Sequence, residues 1–545
     1  MLCSRFLRPP GARQNAFQRS SEKVFDGMRA VYDWTLRGVL RHRFLTLVTA
    51  VGTLVASVYL YGFVSKGFIP DQDTGQLSGS TEAPQDISFD AMVQRQQQVA
   101  AIVAADPDVQ AYTSSVGGGR GGGGNSGQVF LRLKPRNQRS STPEQVITRL
   151  RPRLNALPGV RSYLTNPPLV RIGGMMSRSL YQYTLQAPEI DTLYRSAADF
   201  EKRMREVPGL TDVSSDLQIA SPEVTVNIDR DRASAMGITA DDVERSLYSA
   251  YGSRQVSSIY TPTDDFQVIL ELLPKYQLGP GSLEMLYVSA PGGKMAPLNA
   301  ITRLHTDVGP LSVAHLGQLP AVTISFNLLP GVSLGEAVSR VQTLAREALP
   351  ATVRTSFQGT AAAFQSSLGN MGVLLFMAIL VIYMVLGILY ESFIHPITIL
   401  SGLPSAGLGA LATLLIFKDE LNIYSFVGII MLIGIVKKNA IMMIDFALEG
   451  QRERHLPPAE AIYQACLVRF RPIMMTTMAA LMGTLPIALG FGAGGEARRP
   501  LGLAVVGGLV VSQLLTLYIT PVIYVYMERL MRLRKRKPAA VAVGA

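Results

Sequence analysis

Six stretches of about 20 or more mostly apolar residues punctuate the chain, and each is long enough to cross a bilayer as a helix. They cover Phe44–Val64, Met371–Tyr390, Ile397–Phe417, Ile423–Ala447, Ile473–Phe491 and Leu501–Met527. Pro396, Pro472 and Pro500 fall at the expected helix starts, where a missing N–H costs little. Between the first and second stretches the pattern changes. Residues 65–370 alternate and repeat as in a water-soluble α+β domain. Tyr181–Gln186, Val224–Asp229 and Ala321–Leu328 have the period of strands, the second of them half-buried. Helices are predicted near Asp191–Val207, ended by Pro208-Gly209, and near Ser333–Leu349. Another opens at Ile238-Thr239, where Thr239 and Asp242 are spaced as a capping box. The recurring strand–helix units predict parallel or mixed sheets backed by helices.

Composition agrees with a chain partly outside water. It is 48% hydrophobic and 17% charged, against about 25% charged in soluble domains. The net charge of +11 invites a nucleic-acid reading. Its location answers that: basic residues crowd 1–43 and the tail after Met527, flanking apolar spans, as membrane topology requires. Both termini are therefore expected in the cytoplasm, with 65–370 outside. The loop between the fourth and fifth spans carries Arg452, Arg454, Arg469 and Arg471 and falls inside on this count. Arg498 and Arg499, in a short outer loop, run against the rule. The first span starts too far in and runs too long for a cleavable signal peptide. The expected organisation is a linker over 1–43, a span over 44–64, an outer domain over 65–370, five spans over 371–527 and a basic tail over 528–545. Cys3 and Cys466 lie in predicted cytoplasmic segments, so the outer domain holds no disulfide framework. The five histidines show no metal-ligand spacing, and neither a metal nor a cofactor is expected.

The fourth span carries the strongest chemical signal. Lys437, Lys438 and Asn439 sit near the middle of its apolar run, and Asp445 near its cytoplasmic end. A charge at that depth costs several kcal/mol unless paired or facing a polar path. Asp445 is about two turns from Lys438, roughly 10 Å along the axis, so it does not neutralise it. Glu391 and the Asp419/Glu420 pair sit at span ends, and no carboxylate lies at mid-membrane depth. Lys438 therefore points to an acidic partner that this chain does not contain. In the fifth span Arg469 and Arg471 precede Pro472, and Thr476 and Thr477 follow. The threonines either back-bond to their own helix or line a proton path. Gly502, Gly507 and Gly508 in the last span allow close helix packing. In the outer domain a run from Gly117 to Gly124 contains Arg120. It lacks the Gly-Lys-Ser/Thr ending of a phosphate loop. It reads either as a flexible surface loop or as a gate beside a ligand pocket.

Gly434–Ala447, Arg469–Thr477, Arg499–Gly508 and Leu389–Pro396 resemble the resistance–nodulation–division (RND) multidrug efflux transporters of Gram-negative inner membranes, of the hydrophobe/amphiphile type. The wording of the fourth span and of Gln464–Thr477 is closest to the branch that assembles from two different subunits. The resemblance runs along the whole chain, but that family's members are about twice as long. Leu2–Pro9 resembles the end of the family's sixth helix, so this chain would be a carboxy-terminal half. The resemblance implies a six-helix membrane bundle with α+β periplasmic porter subdomains of βαβ type and a docking domain. It implies proton antiport without covalent chemistry, so a transporter and not an enzyme. Lys438 matches the proton-relay lysine, Arg469 a relay arginine and Thr476 the relay threonine, with Asn439 and Asp445 beside them. The acidic pair would lie in the missing amino-terminal half. Tyr112 and Phe130 match aromatic positions of the drug pocket. Gly117 and Gly119 stand where the family's gate loop carries phenylalanines, which puts the substrate range in doubt. Drug-like substrates, a trimer, a periplasmic adaptor and an outer-membrane channel are implied in the same way.

Two rival readings remain. A protein-translocation accessory subunit shares the half-length plan but would carry its acidic relay residue within its own spans. An inactive truncated product would carry the same motifs without function. A tethered enzyme is disfavoured, because 65–370 offers no nucleophile–base or metal constellation.

Overall fold

In the computed structural model of the protein the described residues are 16–117, 124–170, 172–174, 177–277, 279–492 and 494–535. Cys3 and the Leu2–Pro9 segment lie outside them. The chain opens with α1 (Ala16–Arg41) and α2 (Arg43–Phe63), separated only by His42. Helix α1 is amphipathic: Tyr32 and Leu36 are buried one turn apart, and Phe25, Met28 and Leu40 pack beside them. That face lies on the bundle described below.

The outer domain begins with β1 (Gln76–Glu82), α3 (Phe89–Ala104), β2 (Val109–Val116), β3 (Ser126–Leu133), α4 (Pro143–Asn155) and β4 (Arg161–Thr165), in the strand order β2-β3-β1-β4. A second unit of the same plan runs β5 (Tyr181–Gln186), α5 (Ile190–Glu206) and β6 (Leu210–Ser215). It is interrupted by an insertion from β7 (Ser221–Ile228) through α6 (Arg230–Ala235), α7 (Ala240–Tyr251), β8 (Arg254–Tyr260), β9 (Asp265–Leu270), β10 (Tyr287–Ala290), β11 (Lys294–Pro297) and α8 (Leu298–Ile301) to β12 (Thr302–Gly309). It then resumes with β13 (His315–Leu316), β14 (Leu319–Leu328), α9 (Leu334–Ala348) and β15 (Arg354–Gln358). Its sheet has the order β6-β14-β5-β15, with β13 also on β14. Both units are thus βαββαβ folds of the split type.

The expected parallel or mixed sheets are not what forms. Every ladder among the described residues is antiparallel. A strand–helix–strand crossover does give two parallel strands. Here the third strand of each unit inserts between them, β3 between β1 and β2 and β14 between β5 and β6, so no parallel neighbours meet. The individual elements hold better. Strand β5 matches Tyr181–Gln186, and the Thr239/Asp242 capping box is formed in full. The strand expected at Val224–Asp229 is β7, but it is not half-buried. It pairs only with β12 in a ribbon whose residues are mostly exposed.

Among the described residues six helices are long and apolar enough to cross a membrane. After α2 they are α10 (Gly359–Tyr390), the broken pair α11 (His395–Leu400) and α12 (Leu403–Phe417), α13 (Ile423–Glu453), α14 (Pro458–Ala488) and α15 (Gly495–Lys535). Helix α10 starts ahead of the expected Met371 because its first turns belong to the outer domain: Ala361 and Phe364 are in the core of the second unit. Two expectations are overturned together. Pro472 and Pro500 lie inside α14 and α15, not at their starts, and Arg469 and Arg471 stand on α14, not in a loop. An internal proline removes one backbone bond. Ala465, Cys466, Phe470, Ile473 and Met474, buried on both sides of Pro472, hold α14 continuous across it. Helix α15 is the central one. A Cβ on Gly502 would come 2.3 Å from the Ala488 nitrogen, and one on Gly508 2.1 Å from Leu432 Cδ2. These glycines do permit close packing, as expected.

Candidate functional site

Helix α13 presents its polar residues in different directions, since neighbours on a helix point about 100° apart. Asn439 faces inward. Its Nδ2 donates to Gln513 Oε1 on α15 at 2.9 Å and to Thr477 Oγ1 on α14 at 3.2 Å. Thr477 Oγ1 donates to Gln513 Oε1 at 2.8 Å, and Gln513 Nε2 to Met474 Sδ at 3.4 Å. All three residues are buried. Three helices are thus tied by one polar cluster whose donors are satisfied, as a low-dielectric interior requires.

The five residues expected to form a relay are not joined. No hydrogen bond or ion pair links any two of Lys438, Asn439, Asp445, Arg469 and Thr476. Lys438 is exposed, about 100° around α13 from Asn439, and neither it nor Lys437 has a hydrogen-bond or ion-pair partner among the described residues. Thr476 donates back to the Ile473 carbonyl at 3.1 Å. Its neighbour Thr477 is the threonine in the cluster. Asp445 accepts from the Tyr390 hydroxyl on α10. The Arg469 guanidinium stacks on Phe446 at 4.9 Å, and its buried Nε has no partner. Gln513 was not singled out from sequence. A lone glutamine in a long apolar helix was the available signal.

A second polar site lies where the outer domain meets the helices. The segment after α2 is stitched to the α12–α13 turn by backbone bonds from Leu421 to Ser65 (2.8 Å), from Gly67 to Leu421 (3.2 Å) and from Ile423 to Phe68 (3.1 Å). Beside this seam is a cavity of about 460 Å³ whose walls include Asp71, Glu144, Glu420 and Glu496. Burial pushes the Asp71 carboxyl up to about 6, with the Glu144 charge adding to it. Burial, then the charges of Asp71 and Asp419, pushes Glu420 up to about 7. Arg499 reaches Asp419 at 3.7 Å, and Arg136 pairs with Glu496. These pairs account for arginine on the outer-domain side, where Arg499 had run against the charge rule.

In the first unit Gly117 closes β2 with φ +68°. Gly119 lies outside the described residues. Tyr112 and Phe130 are both about half exposed, at 44% and 52%. The register sets Tyr112 opposite Leu131 and Phe130 opposite Thr113. Directly opposed residues share a face, so the two aromatics project from opposite faces of the sheet. Phe130 lines a cleft between the two units, with Ser78, Gln128 and Gln182.

The profile of one protein family, AcrB/AcrD/AcrF, matches residues 1–528. The chain belongs to the AcrB/AcrD/AcrF family. This is the resistance–nodulation–division grouping that the membrane motifs resemble. Solved structures agree on the fold. Two crystal forms of a heavy metal efflux pump each match with a TM-score of 0.84 at 24% identity. They cover 93% of this chain, and 52% and 53% of the pump. The chain thus spans about half the length of that pump. Family membership and the apolar helices together make α2 and α10–α15 a membrane-spanning domain.

Proposed function

We propose that this AcrB/AcrD/AcrF-family chain works as the carboxy-terminal half of a proton-driven efflux transporter for drug-like or amphiphilic small molecules. The observation that carries the reading is Lys438: a cation on a membrane helix, exposed on one side of α13, without a partner among the described residues. A second half bringing a carboxylate to that face would neutralise it. Protonation of that carboxylate would release Lys438 and shift α13 against its neighbours. The half-length match to a solved pump supports the same reading. Asn439, held by Thr477 and Gln513, would keep α13 in register while Lys438 switches. Arg469, Thr476 and Asp445 would line the proton route toward the cytoplasm.

In this reading 65–370 is periplasmic. The two βαββαβ units are porter subdomains and the β7–β12 insertion belongs to a docking domain. Residues 1–43 are a cytoplasmic linker and 528–545 a cytoplasmic tail. The chain is a multi-pass inner-membrane protein that acts as a trimer with an adaptor and an outer-membrane channel, and contributes to antibiotic resistance. Tyr112, Gly117, Gly119 and Phe130 border the substrate route.

The test is substrate accumulation in an efflux-deficient host expressing the chain with and without an amino-terminal half in trans. The panel includes dyes, antibiotics and heavy-metal salts. Efflux of drugs only with the partner, lost on Lys438→Ala, is the expected result. Efflux of metals alone would move the substrate class. Efflux by the isolated chain would refute the missing-partner argument, and no efflux in any pairing would favour an inactive fragment or an accessory subunit.

A further inference from the structure

Lys438, Asp445 and Arg452 recur every seventh residue of α13, which sets them within about 40° of one another around the helix. All three are exposed. They form one charged stripe that runs from the middle of the span toward the end that the proposed topology places in the cytoplasm. A proton that enters at Lys438 needs a way out at the lower end of this stripe, and buried groups packed beside it offer one.

Asp445 accepts from the hydroxyl of Tyr390, the last residue of α10. The chain then reverses through Glu391, at φ +48°, and His395 opens α11. The His395 ring lies 6.2 Å from that of Tyr390, edge to face, and 6.4 Å from that of Tyr524 on α15, nearly parallel. Tyr524 is tied in turn to α13, whose Gln451 Nε2 donates to its hydroxyl at 2.7 Å. His395 is only 8% exposed, and its Nδ1 is buried with no hydrogen-bond partner among the described residues, where buried polar atoms are ordinarily bonded. Helix α11 packs on α10, α13 and α15. The titratable and charged groups on that side are Tyr390 with its partner Asp445, Arg452 of α13, and Tyr524 with Glu528 of α15. Histidine is the side chain that changes charge near neutral pH, and its two nitrogens let it take a proton on one side and lose one on the other.

We propose that His395 releases the transported proton to the cytoplasm and that Asp445 and Tyr390 carry the proton to it. This rests on the proton-driven reading above. A proton reaching Asp445 converts its carboxylate to the acid. The acid passes a proton to the Tyr390 oxygen as the Tyr390 hydroxyl proton moves to His395 Nδ1 through one water. The imidazolium then loses the proton on Nε2 to cytoplasmic water. One proton enters at Asp445 and one leaves at His395, and only O–H and N–H bonds are exchanged. The carboxylate and the tyrosine hydroxyl are restored, and a half-turn of the ring returns Nδ1 to its acceptor form.

The test uses the full chain with an amino-terminal half in trans, in everted membrane vesicles that turn the cytoplasmic face to the bath. Dye uptake is driven by an imposed proton gradient of fixed size while bath pH is varied over about 5–8. The unmutated pair should slow as the bath is acidified through the histidine range. His395→Gln should lower the maximal rate at least about tenfold, leave the half-saturating dye concentration unchanged and remove the pH step. Tyr390→Phe should lower the rate likewise. Imidazole in the bath should restore His395→Ala, and His395→Glu should regain rate with the step moved to lower pH. A His395→Gln pair with the unmutated rate and pH step would overturn the proposal. A loss that neither imidazole nor His395→Glu restores would overturn it too, by making His395 a packing residue. Uptake that needs Lys438 but not His395 would sink this inference alone, whereas no uptake by the unmutated pair would sink the proposed function and this inference with it.

Discussion

Replacing Gln513 by leucine is the sharpest test of the buried cluster. The substitution keeps the volume roughly constant and removes the acceptor shared by Asn439 Nδ2 and Thr477 Oγ1, at 2.9 and 2.8 Å. In a water-soluble core, orphaning two buried donors would cost about 1–3 kcal/mol each. Between membrane helices the measured figure is smaller, about 0.6 kcal/mol on average and about 1.7 at most, because the unfolded chain in lipid also finds partners. Thr477 has such a fallback: its hydroxyl can turn to the carbonyl one helical turn back, as Thr476 already does. The loss expected for Gln513→Leu is therefore about 1–2 kcal/mol. Thr477→Val should cost about 1 kcal/mol and Thr476→Val less than about 0.5, since Thr476 bonds only within α14. The assay is reversible SDS-induced unfolding of the purified chain in mixed micelles. An Asn439→Ala/Gln513→Ala double-mutant cycle isolates the interhelical term, with a coupling of about 0.6 kcal/mol or more expected. Coupling indistinguishable from zero, or a Thr476→Val loss as large as that of Thr477→Val, would refute the assignment of the cluster.

Lys438→Met in the isolated chain should leave stability unchanged or raise it, because no described partner is lost and a mid-membrane lysine is unfavourable by about 2.5–3.5 kcal/mol on insertion scales. The same unfolding assay reads this, and a clear loss would mean that Lys438 is paired within the chain. Gly502→Ala should destabilise by about 1–3 kcal/mol, since its Cβ would meet the Ala488 backbone at 2.3 Å, whereas Gly434→Ala meets nothing within 4 Å and should be neutral. Stability at the outer seam should fall as pH rises. Asp71 and Glu420 bind protons more tightly folded than unfolded, so their contribution is full below the ordinary carboxyl range. It is lost as pH passes about 6 and about 7 respectively, by at most about 1.4 kcal/mol per pH unit for each group. Glu420→Gln should flatten the upper part of that curve, and an unchanged curve in thermal unfolding would count against the burial of Glu420. Thr239→Ala removes the hydroxyl that accepts from the Asp242 N–H in the α7 capping box, while the bond from the residue's own backbone N–H to Asp242 Oδ2 stays available; it should cost about 1 kcal/mol, read by thermal unfolding.

What the sequence determined by itself is what depends on local composition. The membrane helices announce themselves because a bilayer rewards any apolar run of sufficient length, whatever its neighbours are. The capping box at Thr239 and the strand at Tyr181–Gln186 are likewise written in adjacent residues. The unpaired Lys438 was legible for the same reason, since its cost at mid-membrane depth follows from position along the helix. Tertiary structure decided the rest, and in each case a partner distant in sequence was needed. Sheet direction turned on β3 and β14 inserting between the two strands of each crossover, which strand–helix periodicity does not encode. The continuity of α14 through Pro472 came from packing on both sides of the proline, against a local rule that favours a helix start there. Thr476 and Thr477 are identical in type and adjacent in sequence. Only the approach of α13 and α15 selects Thr477, through Asn439 and Gln513, because the 100° step between neighbours turns one hydroxyl toward another helix and leaves the next on its own backbone.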